Sequence, residues 1–274
     1  MDTFKIFRLL KFSELALGRG YCPGCQTNKT FIKLNGTDIA LRCLSCRASL
    51  VTLALIDVIQ HIFPDIREKS IFELSARGPL VNYLTRHNPN ITCSEYFDDI
   101  NSGEFKNGIM CQDVQKLSFK DNSFDLCTSS EVFEHVPRDN MAFMEIFRVL
   151  NTNGVLAFTV PLDLRCDTIE RAKIGEDDTI QHLCEPEYHI DPLRGNAPIL
   201  AFRTYGIDIV NRLVEAGFYR AEIRSNNKFD PWSKTRPIVV AYKSKPSGSS
   251  QSPDPLLLHH AERENPSDHQ LADS

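Results

Sequence analysis

Gln112-Asp113-Val114, Leu117-Ser118-Phe119, Asn122-Ser123-Phe124-Asp125-Leu126-Cys127-Thr128, Glu131-Val132-Phe133-Glu134-His135-Val136, Glu145-Ile146-Phe147-Arg148-Val149-Leu150, Asn153-Gly154 and Phe158-Thr159-Val160-Pro161 follow one another within residues 112–161. The order is an acidic turn, a buried strand, a polar loop, an amphipathic helix, a glycine stop and a second buried strand. The strands are expected at 124–128 and 155–160. Phe143, Ile146, Phe147 and Leu150 stand at i, i+3, i+4 and i+7, the apolar stripe of a helix over 138–150.

The same alternation extends in both directions. Strands are expected at 71–74, 90–96, 108–111, 221–224 and 238–242, and helices at 80–86 and 208–216, the last stopped by Gly217. Strand and helix in turn imply a mainly parallel sheet covered on both faces. Residues 162–204 are long, polar and charged, as a lid or substrate segment would be. Residues 244–274 are dominated by Ser, Pro, Asp, Glu and His and are expected to be a disordered tail. Towards the N-terminus, residues 5–17 read as a short amphipathic helix ended by Gly18 and Gly20. Residues 48–63 read as a bridging helix. The domains expected are therefore 1–50 (helix and cysteine module), 51–67 (linking helix), 68–243 (α/β domain) and 244–274 (tail).

The formal charge of −5 argues against a protein whose whole surface binds nucleic acid. Residues 1–50 hold eight Lys/Arg against three Asp/Glu, a local +5 that could touch phosphates or simply solvate a small module. The most apolar run, residues 48–63, contains Thr52, Asp57, Gln60 and His61 and is too short and polar to span a bilayer. With no leader apparent at Met1-Asp2-Thr3-Phe4-Lys5, the expectation is a soluble cytoplasmic protein without a membrane partner. Nine cysteines, an odd number, suit reduced thiols better than a disulfide scaffold.

Four of the nine form two knuckles, Cys22-Pro23-Gly24-Cys25 and Cys43-Leu44-Ser45-Cys46, seventeen residues apart. That is zinc-ribbon spacing. Each knuckle turns two thiolates toward one point, and two knuckles make the tetrahedral four-sulfur site that suits Zn²⁺. Asn35-Gly36, between two short apolar runs, predicts a hairpin that joins them. With every ligand supplied by protein, the zinc would be structural. A redox pair or unmetallated thiols are the other readings.

Residues 68–243, read with the motifs above, resemble a class I S-adenosylmethionine-dependent methyltransferase of the type 11 kind, here with an N-terminal zinc ribbon. The resemblance implies a Rossmann-like seven-stranded α/β sheet and S-adenosylmethionine as cofactor. In that family the first strand ends in an acidic residue and a glycine-rich turn. Here Glu73-Leu74-Ser75-Ala76-Arg77-Gly78 keeps the acid and only Gly78, with Ser75 and Ala76 small enough for close approach. Arg77 is a departure: it would pair with the cofactor carboxylate or block the pocket. The resemblance assigns the cofactor ribose to Glu95, beside Tyr96, and the adenine to Asp113, with Val114 lining the base pocket. Ser129 and Glu131 would border the methionine part. A solvated strand-end carboxylate at Glu95 and a loop-capping Asp113 are the plainer alternatives. His189, in Glu187-Tyr188-His189-Ile190-Asp191-Pro192, and His135 are the candidate catalytic residues; each could instead serve only to order its loop or cap its helix.

The function implied is methyl transfer to an oxygen or nitrogen of a small molecule or glycan. An RNA methyltransferase using the basic zinc ribbon, or a non-catalytic docking protein with this fold, are the competing readings. Oligomeric state is not legible.

Overall fold

Successive residues of the central strands face opposite sides of one sheet, and both sides are buried. Ile71, Leu126, Val155, Ala157, Ile238 and Val240 enter one apolar cluster, while Phe72, Cys127, Leu156, Phe158, Val239 and Ala241 enter another. A strand with period 2 and two covered faces has no polar side, which is why these segments read as nearly continuous apolar runs. The chain is seen here as a computed structural model that describes residues 12–37, 40–190, 197–245 and 257–262.

The N-terminal module is a three-stranded antiparallel ribbon of β1 (Ala16–Cys22), β2 (Thr27–Lys33) and β3 (Leu41–Cys43). The helix expected over 5–17 is not borne out where the residues are described. Phe12–Glu14 is a single 3-10 turn, and Ala16 already belongs to β1. The segment alternates half-buried and exposed positions, a strand pattern, and pairs residue for residue with β2. Helix α1 (Leu50–Ile62) follows, with Ser49 as N-cap accepting from the Thr52 amide.

The α/β domain then runs β4 (Ile71–Glu73), α2 (Pro79–His87), β5 (Ile91–Glu95), β6 (Phe105–Lys106), β7 (Ile109–Cys111), β8 (Phe124–Ser130), α3 (Asp139–Val149) and β9 (Leu150–Thr159). A 3-10 turn, Phe133–His135, precedes α3. Residues 162–190 and 197–206 form short paired strands: β10 (Leu162–Asp163), β11 (Ile169–Glu170), β12 (Ala172–Ile174), β13 (Ile180–His182), β14 (Glu187–Ile190), β15 (Pro198–Ala201) and β16 (Arg203–Gly206). The domain closes with α4 (Ile209–Glu215), β17 (Arg220–Ser225), β18 (Pro237–Tyr242) and β19 (Leu257–Glu262). The expected disordered tail thus contains a strand. Leu257–Glu262 pairs antiparallel with β17 and covers what would otherwise be an open sheet edge.

The main sheet has the order β19-β17-β18-β9-β8-β4-β5-β7-β6. Without the two edge strands, and numbered along the chain, the inner seven read 3-2-1-4-5-7-6. The seventh is antiparallel to both neighbours. Helices α1 and α2 cover one face, α3 and α4 the other. Strand order reverses between β4 and β8, so the chain leaves their carboxyl ends in opposite directions and opens a crevice there. No helix among the described residues is long and apolar enough to cross a membrane.

Candidate cofactor and acceptor site

A cavity of about 540 Å³ lies at that crevice. Its wall is made from the ends of four parallel strands: Leu74 and Ser75 after β4, Glu95 and Tyr96 at β5, Asp113 and Val114 after β7, and Ser130 and Glu131 at β8. The volume suits a cofactor-sized molecule, and the mixture of apolar wall with a few carboxylates suits a nucleoside.

Of the residues expected to hold the cofactor, Ser75, Glu95, Tyr96, Asp113, Val114 and Glu131 line the cavity, whereas Glu73, Gly78 and Ser129 do not. Glu73 is sealed beneath the floor, where Thr128 Oγ1 donates to its Oε2. Burial pushes its carboxyl up to about 8, with the hydrogen bonds from Thr128 and Ser75 acting the other way. Gly78 is the N-cap of α2 at φ +113°, a conformation that L side chains rarely adopt. Ser129 is fully buried. β8 runs two residues beyond the expected strand, and the period of 2 sends Ser130, not Ser129, to the cavity wall.

Glu95 accepts the Ala76 amide at 3.1 Å, which ties the turn after β4 to the end of β5. Asp113 does cap its own loop: Oδ1 accepts the Gln115 amide at 2.9 Å, leaving Oδ2 with one long contact of 3.5 Å to the Gln115 side chain. Glu131 sits at φ +56°, pairs with Arg236 at 3.3 Å, and has its amide bonded to Thr159 O. A left-handed, non-glycine residue on the rim of a cavity is stored backbone strain. Arg77 is exposed and does not line the cavity.

His135 and His189 also line the cavity. His135 comes from the 3-10 turn after β8, and His189 from β14; their rings meet edge to face at 4.8 Å. Between them lies Glu134, which sequence reading did not single out. It is completely buried, and no hydrogen bond reaches either of its carboxylate oxygens. The one signal for it was a carboxylate next to His135 among the apolar residues Val132, Phe133 and Val136. Burial raises Glu134 to about 7, and Glu134, helped by Glu187, holds His189 up at about 9 against its own burial. Asp191 and Pro192, also part of the expected cluster, lie outside the described residues.

Two features fix this cluster. The amide of Phe202 donates to Glu134 O at 2.7 Å. The guanidinium of Arg203, itself buried, donates to the carbonyls of Phe133, Val136 and Pro137. Thus β15 and β16 hold the 3-10 turn in place, and the expected lid is a strapped ribbon.

Away from the cavity, the four knuckle cysteines converge. Cys22 and Cys46 sulfurs are 3.7 Å apart, Cys25 and Cys43 sulfurs 4.0 Å, and all four lie within 4.8 Å of one another as free thiols. Zinc–sulfur bonds of about 2.3 Å in a tetrahedron put sulfurs about 3.8 Å apart, so the donor set fits the metal. Gln26 and Arg47, each directly after the second cysteine of a knuckle, take the left-handed conformation that closes it.

Residues 77–158 match a family described as a methyltransferase domain. No curated protein matches. Among solved structures, an S-adenosylmethionine-dependent methyltransferase from Mesorhizobium loti is 14% identical, covers 68% of this chain and 95% of its own, and has a TM-score of 0.43. One from Methanosarcina mazei is 15% identical, over 68% and 97%, at 0.41. A Burkholderia thailandensis 1,6-didemethyltoxoflavin N1-methyltransferase, solved with that compound and S-adenosylhomocysteine, is 10% identical, over 69% and 76%, at 0.41. The family match spans α2 to β9 and includes the turns after β5, β7 and β8, while Leu74 and Ser75 after β4 precede it. Over residues 77–158 the chain is similar to a methyltransferase domain.

Proposed function

We propose that the protein methylates an oxygen or nitrogen of a small molecule or glycan, with the cofactor bound across the ends of β4, β5, β7 and β8. The observation that carries this reading is the cavity itself. It is lined both by carboxylates at strand ends, Glu95, Asp113 and Glu131, and by two imidazoles, His135 and His189. S-adenosylmethionine supplies a methyl carbon on a sulfonium, which passes to a lone pair as the carbon–sulfur bond breaks and sulfur keeps the electrons.

The chain's own residues would hold and orient. Glu95 would accept from ribose hydroxyls. Asp113 Oδ2 would accept from the adenine amino group, with Val114 and Leu74 as apolar wall. Ser75 and Glu131 border the methionine part. The small residues Ser75 and Ala76 let the main chain come close where the family has glycines. His135 and His189 meet the acceptor, whose heteroatom must lie in line with the bond that breaks.

Calorimetry with S-adenosylmethionine tests this reading. Wild-type protein should bind it, and Glu95→Ala should lose roughly tenfold to a hundredfold, the worth of hydrogen bonds to a charged group. Absence of heat at millimolar cofactor would overturn it.

We also infer that Cys22, Cys25, Cys43 and Cys46 hold one structural Zn²⁺. Four buried or half-buried thiols at these distances carry their charge together only with a cation at their centre, and all four positions are then filled by protein.

A further inference from the structure

Among the described residues, one other group could hold a metal: Glu134, His135 and His189. Its hydrogen bonds decide what it can do. His135 Nδ1 lies 2.8 Å from Leu200 O, a carbonyl that can only accept, so Nδ1 carries the proton. His189 Nε2 lies 3.2 Å from Glu187 Oε1, and the same reasoning places a proton there. In the neutral rings the lone pairs then fall on His135 Nε2 and His189 Nδ1. Each of these atoms is 3.7 Å from the same atom, Glu134 Oε1.

Three electron-pair donors thus converge on one point. A separation of 3.7 Å is beyond hydrogen-bond range. It is close to the spacing of neighbouring ligands on one cation, about 3.4 Å for bonds of about 2.1 Å at a tetrahedral angle. The buried carboxylate supplies the second observation. Glu134 has no exposed surface and no hydrogen bond to either oxygen. Such a group is costly to keep dry unless a cation completes it. The outer contacts also have the pattern of metal-binding histidines, whose second nitrogen donates to a carboxylate or a main-chain carbonyl. Here Glu187 and Leu200 fill those places.

We propose that Glu134, His135 and His189 bind a divalent first-row transition metal at the wall of the cavity. Two imidazoles and one carboxylate leave coordination positions open, and both histidines line the cavity, so the open side faces the acceptor. This deepens the methyl-transfer reading and rests on it. The acceptor atom becomes an oxygen, most effectively a hydroxyl with a second oxygen beside it that can chelate, as adjacent sugar hydroxyls do. The metal lowers the pKa of the bound hydroxyl, its proton leaves to water at the cavity mouth, and the oxygen keeps the lone pair that forms the new bond to carbon. No electron is transferred, and the metal keeps its charge. The competing occupant is a proton on His189, held between Glu134 and Glu187.

Mn²⁺ is the probe, because a four-thiolate site prefers zinc and stays filled with it. Titration of Mn²⁺ into protein carrying one zinc per chain and no other metal, followed by calorimetry and by loss of the free-ion electron spin resonance signal, should show one bound Mn²⁺ per chain. Glu134→Gln and His189→Ala should each abolish that binding, and Glu187→Gln should weaken it by roughly tenfold to a hundredfold, as loss of an outer partner does. Glu134→Gln removes a buried charge, so its melting temperature should not fall, which keeps the test open if His189→Ala folds poorly. No Mn²⁺ binding by wild-type protein, or binding unchanged in both ligand variants, would overturn the metal and leave the proton. Cofactor binding is measured separately. Cofactor binding without Mn²⁺ sinks the metal alone; Mn²⁺ binding without cofactor sinks the methyl-transfer reading and leaves the metal site standing.

Discussion

Glu73 shows how a residue expected to touch the cofactor can do something else. It ends β4 with 1% of its surface exposed, and burial lifts its carboxyl from the usual 4.5 to about 8. Between those two values only the unfolded chain releases the proton. The folded state therefore binds more protons, and stability falls as pH rises from about 4.5 to about 8; above that window the loss is complete and this group adds no further pH dependence. Glu73→Gln cannot ionise. Its denaturant midpoint should fall less than that of the wild-type protein between about pH 5 and about pH 8, all other groups being common to both. Equal slopes would mean that the carboxyl ionises normally despite its burial. The sequence did announce an acid at the end of the first strand. It did not announce that β4 is buried on both faces, which turns a candidate ligand into a proton-holding part of the floor.

At the scale of elements, the legible and illegible parts divide by how far apart the partners lie in sequence. The unit from β8 through α3 to β9 was readable because its information is local: an apolar run, then Phe143, Ile146 and Phe147 on one helix face, with Leu150, expected to end the helix, opening β9 instead. That Glu95, Asp113 and Val114 reach the cavity wall was readable because each directly ends or follows a strand. The segment from β10 to β16 was not. Its strands are two to four residues long, too short for a period of 2 to show, and their partners lie across turns. Arg203 was equally hidden, since the carbonyls it serves are those of Phe133, Val136 and Pro137, near 70 residues earlier. Its guanidinium also bonds Glu170 at 3.1 Å and lies 3.5 Å from Asp139, which Tyr205 and Arg212 share. A fork with five donors can serve three carbonyls and a carboxylate at once; an ammonium cannot. Arg203→Ala should cost about 3–5 kcal/mol in chemical denaturation, because it leaves buried acceptors and Asp139 short of a partner. Arg203→Lys should recover only part of that loss. If the alanine variant is as stable as wild type, the ribbon does not hold the turn that carries Glu134 and His135.

For the whole molecule, the question is whether the cysteine module is an appendage or part of the fold. Its core answers: Cys22, Phe31, Leu41 and Cys43 form one buried cluster with Leu50 and Leu53 of α1 and with Phe229 from the segment between β17 and β18. Two glycines of β1 lie against that segment so closely that a Cβ at Gly18 would meet Pro231 at 2.6 Å, and one at Gly20 the Phe229 carbonyl oxygen at 2.6 Å. Asp57 of α1 accepts the Asn227 amide at 2.8 Å, and Gln60 donates to Pro23 O in the first knuckle. The module is therefore packed on the same helix that covers the α1–α2 face of the sheet, through Ala54, Leu55, Ile56, Val58 and Ile59. A ribbon this small has too little apolar core to hold the knuckles without a cross-link. If zinc is that cross-link, its removal should loosen the first turns of α1 and, through them, the sheet. Elemental analysis should find one zinc per chain. A strong chelator should lower the melting temperature of the entire cooperative transition, and Cys22→Ser should act in the same direction with less zinc bound. A separate early transition, with the main one unmoved, would show that the module folds apart from the sheet, while zinc-free protein indifferent to chelator would remove the metal from the fold altogether.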